Sequence, residues 1–281
     1  MTSIEIPNLS LRDGTTIPQL GFGVWQVPDD EAQTATAEAL RVGYRLIDTA
    51  EGYQNEAGVG RAIAASDLPR DDIYVTTKLA NGNQGYDSTM RAFDGSMERL
   101  GVDVLDLYLI HWPCPKADLY TETWKAFVEL KKSGRVRSIG VSNFHAPHLT
   151  RIIDATGEVP VLNQVELHPY LQQSALREVN ASHQILTEAW SPLGSGHGLL
   201  EDETLVSIAR AHDATPAQVV LAWHMQLGNV VIPKSVTPSR IAENFAAAAL
   251  TLSAEELSAI AGLDAGHRYG GDPDTANFGL E

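Results

Sequence analysis

The chain has 281 residues, 43% of them hydrophobic, and a formal charge of −16. A chain of this size buries roughly three quarters of its unfolded surface, so it needs neither a metal nor a disulfide to hold a core. The lone Cys114, between Pro113 and Pro115, excludes an intramolecular disulfide, the acidic balance argues against broad binding to phosphate backbones, and no run reaches the ~18 apolar residues of a membrane span. Residues 1–10 carry an acid, Glu5, and a proline where a secretory leader has a basic start and a long apolar run, which leads us to expect a cytoplasmic protein. No linker, charge block or shift in composition divides the chain, so one domain over residues 1–281 is expected.

In chain order, residues 9–17 read as a hairpin turning at Asp13-Gly14, followed by a first strand near 20–23. From about residue 29, runs of helical period alternate with short apolar runs. The first predicted helix, 30–42, has Asp29, Asp30 and Glu31 at its positive end and Gly43 to stop it. The pattern then gives strand 44–48 and helix 55–65, strand 73–78 and helix 88–100, strand 105–111 and helix 121–133, strand 138–142 and helix 146–155. It continues with strand 162–166 and helix 173–182, strand 185–190 and helix 216–227, strand 230–234 and helix 238–247. Residues 201–212 and 253–263 read as additional helices outside the repeat, and the last seventeen or so residues form a Gly/Pro/Asp-rich tail. Eight strand–helix units predict an α/β fold, a (β/α)8 barrel with an N-terminal hairpin and a C-terminal tail. A doubly wound open sheet has the same alternation, but Gly21-Phe22-Gly23 continues into Val24, Trp25 and Gln26 and lacks the G-x-G-x-x-G turn usual there.

Polar residues repeatedly end the apolar strands: Asp48 after Ile47, Lys78 after Thr77, His111 after Ile110. In a barrel these ends open onto one face, where barrel enzymes place their catalysts. Tyr53, five residues beyond Asp48, reaches the same mouth. Taken singly, a strand-end Asp is usually a cap, a Lys a solvated charge and a His a satisfied structural group. Together they are complementary: a buried Lys needs a counter-charge, Asp48 supplies it, and a Lys beside a tyrosine is expected to lower the phenol's pKa. That is a proton-donor assembly.

Three segments carry a resemblance. They are Gly43-Tyr44-Arg45-Leu46-Ile47-Asp48-Thr49-Ala50 with Tyr53, Glu56 and Gly60; Leu105-Asp106-Leu107-Tyr108-Leu109-Ile110-His111-Trp112-Pro113; and Ile232-Pro233-Lys234-Ser235 with Arg240, Glu243 and Asn244. The chain resembles the aldo-keto reductases nearly end to end, and among them the bacterial 2,5-diketogluconate reductases. The resemblance implies a tetrad of Asp48, Tyr53, Lys78 and His111, with hydride passing from a nicotinamide to a carbonyl carbon while Tyr53 protonates its oxygen. It implies Ser142, Asn143 and Gln164 at the carboxamide, Trp190 on the nicotinamide ring, and Ser191 and Leu193 beside the pyrophosphate. Lys234, Ser235 and Arg240 would hold the ribose 2′-phosphate, Glu243 and Asn244 would lie near adenine, and Gly23 and Val236 also belong to the cofactor site. That set implies NADPH as cofactor, with NADH use weaker; Thr237 stands where close relatives often carry another Arg. Taken alone, Trp190 also reads as a core aromatic, and Lys234 and Arg240 as solvated charges. The substrate, a small carbonyl compound, would meet Trp25, Tyr53, Trp112 and Phe278, and Ala80 stands where relatives carry Trp or Phe. The resemblance also implies a monomer.

Other signals lead elsewhere. Gly194-Ser195-Gly196-His197-Gly198 lacks the Lys-Ser/Thr ending of a P-loop and is expected to close over the cofactor as a mobile loop. His145 and His148 have no third ligand at an obvious spacing, so no metal is expected, and nothing beside Cys114 would activate it. The competing functions are Schiff-base chemistry at Lys78, which leaves Lys234 and Arg240 without a purpose, and a cofactor-binding sensor without turnover, which leaves the tetrad without one.

Overall fold

The computed structural model describes residues 4–280. A short antiparallel hairpin, β1 (Asn8–Ser10) and β2 (Thr16–Pro18), precedes a sheet of eight parallel strands that follow one another in chain order. These are β3 (Gly21–Gly23), β4 (Leu46–Asp48), β5 (Tyr74–Leu79), β6 (Leu105–Ile110), β7 (Val136–Ser142), β8 (Leu162–Glu166), β9 (Leu186–Trp190) and β10 (Val230–Val231). The sheet closes on itself: parallel bridges join Leu20 to Val231 and Gly23 to Lys234, and the Gly23 amide donates to the Pro233 carbonyl at 3.1 Å. The sequence pattern thus correctly gives a barrel. The last strand is shorter than the predicted 230–234 because Pro233 has no N–H to extend the ladder.

Alternation along the strands sorts the core into two layers. Leu46, Leu107, Leu109, Leu162 and Val230 point to the barrel axis, whereas Ile47, Val75, Tyr108, Val141 and Val165 pack outward against the helices. The outer layer comprises α1 (Asp29–Val42), α2 (Glu56–Ala64), α3 (Tyr86–Leu100), α4 (Tyr120–Lys132), α5 (Ala146–Thr156), α6 (Ser174–Ser182), α8 (Pro216–Gln226) and α9 (Pro238–Ala246). The two helices outside the repeat are α7 (Glu203–Ala211) and α10 (Ala254–Ala261). Local chemistry sets their starts. Thr215 and Gln218 cap α8 reciprocally with Pro216 in its first turn, Ser253 and Glu256 do the same for α10, and Asp202 accepts the Thr204 and Leu205 amides of α7. Such caps contribute about 1 kcal/mol each. Gly58 lets α1 and α2 approach closely, since a Cβ there would sit 2.0 Å from the Asp29 carbonyl oxygen.

The hairpin closes the N-terminal end of the barrel. Leu11 and Ile17, both buried, pack against Leu46, Leu107, Leu162 and Val230, each contributing about 1.5–3 kcal/mol by leaving water. Asp13 tightens the turn by accepting from the Thr15 hydroxyl and ties it to β7 by accepting from Ser138 at 2.9 Å. With that end blocked, access to the barrel axis is from the opposite face, where every strand ends.

Candidate active site

On that face lies a cavity of about 1140 Å³. At its floor three strand ends meet. Asp48 ends β4, Lys78 lies next to last in β5, and His111 follows β6, while Tyr53 rides on the single turn Glu51–Tyr53 after β4. Lys78 is wholly buried; its ammonium donates to Asp48 Oδ1 at 2.6 Å, to the Thr49 carbonyl at 2.9 Å and to the Tyr53 hydroxyl at 3.4 Å. The His111 ring stands edge to face with Tyr53, centroids 5.6 Å apart. The three strand-end residues and Tyr53 are therefore contiguous.

Electrostatics assigns their protonation. Burial acts against the Lys78 charge, but Asp48 and Tyr53 outweigh it and hold the ammonium above its ordinary pKa. A lysine kept charged, with its three N–H bonds engaged, is no amine nucleophile, which removes the Schiff-base alternative. Burial, with a smaller contribution from Lys78, pushes His111 down to about 3, so its imidazole is neutral. Tyr53 departs from the sequence expectation: burial, aided by the negative Asp48, outweighs Lys78 and leaves the phenol above its ordinary value. The site holds a neutral phenol with a cation waiting beside it.

A second layer lies on the next strands. Ser142 ends β7 and donates to the Gln164 carbonyl at 2.8 Å; Asn143, in the left-handed region at φ 62°, gives its two amide hydrogens to the His111 carbonyl and to Ser142 Oγ. Trp190, ending β9, donates its indole N–H to Asn143 Oδ1 at 2.8 Å, which fixes the ring plane over the cavity. Gln164 Nε2 donates to Asp48 Oδ2 and to Glu188 Oε2. With these groups engaged, the Gln164 amide oxygen is left as an acceptor at the cavity, which suits a primary carboxamide's N–H bonds.

At the far end, Gly23, Lys234 and Arg240 line the cavity where β3 meets β10. Lys234 and Arg240 are exposed and form no ion pair among the described residues, although the chain carries a large negative charge. Arg240 sits in the first turn of α9, whose amides also favour an anion. Ser235 lies beside them and accepts the Thr237 amide at 3.1 Å. Ser191 and Leu193 line the cavity along the loop after β9. Ser235, Val236, Glu243 and Asn244 do not: Ser235 is buried, Val236 faces outward at 47% exposure, the Glu243 carboxylate accepts from the Thr215 hydroxyl at the α8 cap, and Asn244 is buried.

The outer wall is made by Trp25, Trp112, Ala80 and, from the tail, Phe278, which meets Trp112 edge to face at 5.2 Å. Proximity in sequence could not place that tail. Buried Glu166 accepts the Tyr269 and Gly270 amides, Asn81 donates to the Phe278 carbonyl, and His145 Nδ1 lies 2.8 Å from Asp274. The tail thus brings Asp272 and Asp274 to His145, three groups whose ligand atoms lie within 4.8 Å of one another, where spacing alone offered no third ligand. Both acids are exposed, and the His145–Asp274 hydrogen bond accounts for the approach. His197 of the glycine-rich loop stacks on Tyr269 at 4.4 Å, clasping loop to tail. Cys114 is buried, and burial pushes its thiol up to about 11, away from reactivity. Two buried acids escaped the sequence reading, Glu166 and Glu188; each stands at an inward position of its strand, a departure from apolar alternation that would have marked both.

The comparisons with known proteins agree with this geometry. Residues 19–265 match the model of the aldo/keto reductase family. An aldo-keto reductase of Mycolicibacterium smegmatis is 56% identical over 272 residues, covering 97% of this chain and 98% of its own. Methylglyoxal reductase DkgA of Salmonella typhimurium is 50% identical over 267 residues, covering 95% and 96%. Among solved structures, an aldo/keto reductase from Brucella melitensis superposes with a TM-score of 0.90 at 56% identity, covering 93% of this chain and 99% of that one. A mutant of Gox0644 in complex with NADPH superposes at 0.94 with 53% identity, covering 98% and 100%. No helix among the described residues is long and apolar enough to cross a membrane. With its barrel, its strand-end cluster and relatives matched over nearly their whole length, the chain belongs to the aldo/keto reductase family.

Proposed function

We propose that the chain reduces aldehydes and ketones to alcohols with NADPH, with Tyr53 as the proton donor. The observation that carries this reading is the run of contacts from Asp48 through Lys78 to the Tyr53 hydroxyl at the cavity floor, beside a neutral His111. The residues fit the cofactor: the Gln164 amide oxygen, beside Ser142 and Asn143, suits its carboxamide, the fixed Trp190 ring suits its flat heterocycle, and Lys234 and Arg240, in no ion pair among the described residues, suit a 2′-phosphate. A relative of known structure was solved with NADPH. When bound, the reduced nicotinamide supplies a hydride to the carbonyl carbon.

The protein's part is acid catalysis and placement. As negative charge grows on the carbonyl oxygen, Tyr53 passes its proton there, and Lys78, 3.4 Å from the phenol oxygen, stabilises the phenolate left behind. Asp48 keeps Lys78 charged and in place. His111, neutral, offers a hydrogen bond that orients the carbonyl. Trp25, Trp112 and Phe278 enclose the substrate, and the single methyl of Ala80 leaves that wall open to bulkier and more varied carbonyls than a Trp or Phe there would admit. We place the protein in the cytoplasm as a monomer; native mass spectrometry showing the mass of one chain is the expected result.

The test is NADPH oxidation, followed by absorbance, with a panel of aldehydes, dicarbonyls and keto acids. Tyr53→Phe is expected to bind the cofactor normally and to lose about 10²–10³-fold in kcat, the usual effect of removing one transition-state donor. Near-normal turnover in that variant would reassign the proton donor.

A further inference from the structure

Glu188 lies at the centre of β9 with no accessible surface, pointing into the barrel beneath the cavity. Among the described residues it makes one side-chain hydrogen bond, accepting from Gln164 Nε2 at 2.8 Å, and its second oxygen is buried without a hydrogen-bond partner. Among the described residues it forms no ion pair, although Lys78 is near enough to act on it. Burial, with Asp48 nearby, pushes its acid up to about 8, so it is neutral near pH 7. Such a group in a barrel core is costly unless it does something that a leucine could not.

What it does follows from the hydrogens of Gln164. That amide has two N–H bonds and one oxygen. One N–H goes to Asp48 Oδ2 at 2.9 Å; Glu188 takes the other, and only the oxygen is left for the cavity that Gln164 lines. With Asp48 alone, the amide would keep a free N–H and could swing it toward the cavity. With both acids present, Gln164 can only accept.

We infer that Glu188 is a positioning residue for cofactor selectivity: by taking the second Gln164 hydrogen it makes that amide an obligate acceptor, so the site demands an N–H donor on the 3-substituent of the pyridine ring. This rests on the reading of the cavity as the nicotinamide site. The 3-carboxamide of NADP+ meets the demand. A 3-acetyl group, nearly the same in shape, presents a methyl and a carbonyl instead of an N–H, and leaves the Gln164 oxygen unpaired.

The experiment compares dissociation constants of NADP+ and its 3-acetylpyridine analogue by quenching of tryptophan fluorescence, a measurement independent of turnover and of the analogue's redox potential. One such hydrogen bond corresponds to a preference of about tenfold for NADP+ in the unaltered protein. Glu188→Leu frees the second N–H, which can then donate to the acetyl oxygen, and the preference is expected to fall below about threefold. Glu188→Gln, an isostere of the neutral acid, still accepts from Gln164 and is expected to retain it. If Glu188→Leu does not fold, Glu188→Thr, too short to reach Gln164, takes its place with the same expectation. A preference unchanged in Glu188→Leu or Glu188→Thr overturns the inference while leaving the cofactor reading intact, as does a protein that binds both dinucleotides equally. Failure to bind NADP+ at all overturns the cofactor reading and the inference together.

Discussion

Replacing Lys78 by Met removes the one cation at the centre of the site, and the structure sets the cost. The ammonium is fully buried and donates to Asp48, to the Thr49 carbonyl and to Tyr53. Without it, the Asp48 carboxylate, 2% exposed, keeps Gln164 as its one side-chain donor among the described residues. Removing one partner of such a pair costs about 3–5 kcal/mol, because the other charge is left buried and unbalanced. In a chain of this size about 1 kcal/mol moves Tm by ~2–4 °C, so the variant should melt ~6–20 °C below the unaltered protein. Asp48→Asn combined with Lys78→Met buries no charge and should recover at least about half of the loss. Acid should help the single variant too, since a proton on Asp48 removes the unpaired charge, and its deficit should narrow as pH falls from about 7 to 5. Urea unfolding followed by circular dichroism measures all three. A Lys78→Met protein within about 1 kcal/mol of the unaltered one, or a double variant no more stable than the single, would refute the account of Asp48 and Lys78 as a buried, mutually dependent pair.

Lys234→Met and Arg240→Ala should each raise the KM for NADPH about tenfold while changing that for NADH little, because only the former carries the 2′-phosphate; equal effects on both would move the phosphate elsewhere. Ala80→Trp should reduce turnover of large ketones more than of small aldehydes, and equal losses would show that this wall does not select. Stability should fall on acidification below about pH 6.5: His111, depressed to about 3, and His224, buried and also depressed, are neutral when folded and take up protons on unfolding. Their contribution is complete above pH 6.5 and is lost as pH falls toward about 3, while Glu188, raised to about 8 when folded, holds a proton the unfolded chain lacks and opposes part of that loss over the stretch from about 6.5 to 5. His111→Phe should flatten that stretch in denaturant midpoints, and an unchanged slope would mean that His111 is already charged in the native state.

The barrel was legible because its period is: each strand is an apolar run and each helix an amphipathic one, and the caps at Thr215 and Ser253 are written in adjacent residues. The cluster at the cavity floor was legible for a related reason, since Asp48, Lys78 and His111 each stand at a strand end facing the cavity. What sequence conveys poorly is environment. Lys78 beside Tyr53 suggested a lowered phenol pKa, but the depth of burial that reverses the sign is a sum over the whole fold. Nor can spacing reveal that Asp274 docks on His145, 129 residues away, or that Glu166 anchors the tail through Tyr269 and Gly270. Nor does the motif reveal that Glu243, a position that reads as a cofactor contact, also accepts at the cap of a neighbouring helix.

The closure between β3 and β10 has a consequence for motion. Where β6 and β7 share a five-pair ladder, the closing edge is held by isolated bridges at Leu20–Val231 and Gly23–Lys234 and by a strand of two residues. It is therefore a thinner seam than β6–β7, and amide hydrogens at Gly23 and Val231 should exchange with solvent sooner than those along β6 and β7. Gly23 and Lys234 flank this edge and both line the cavity, so a dinucleotide lying across them acts as a staple, and its binding should slow exchange there first.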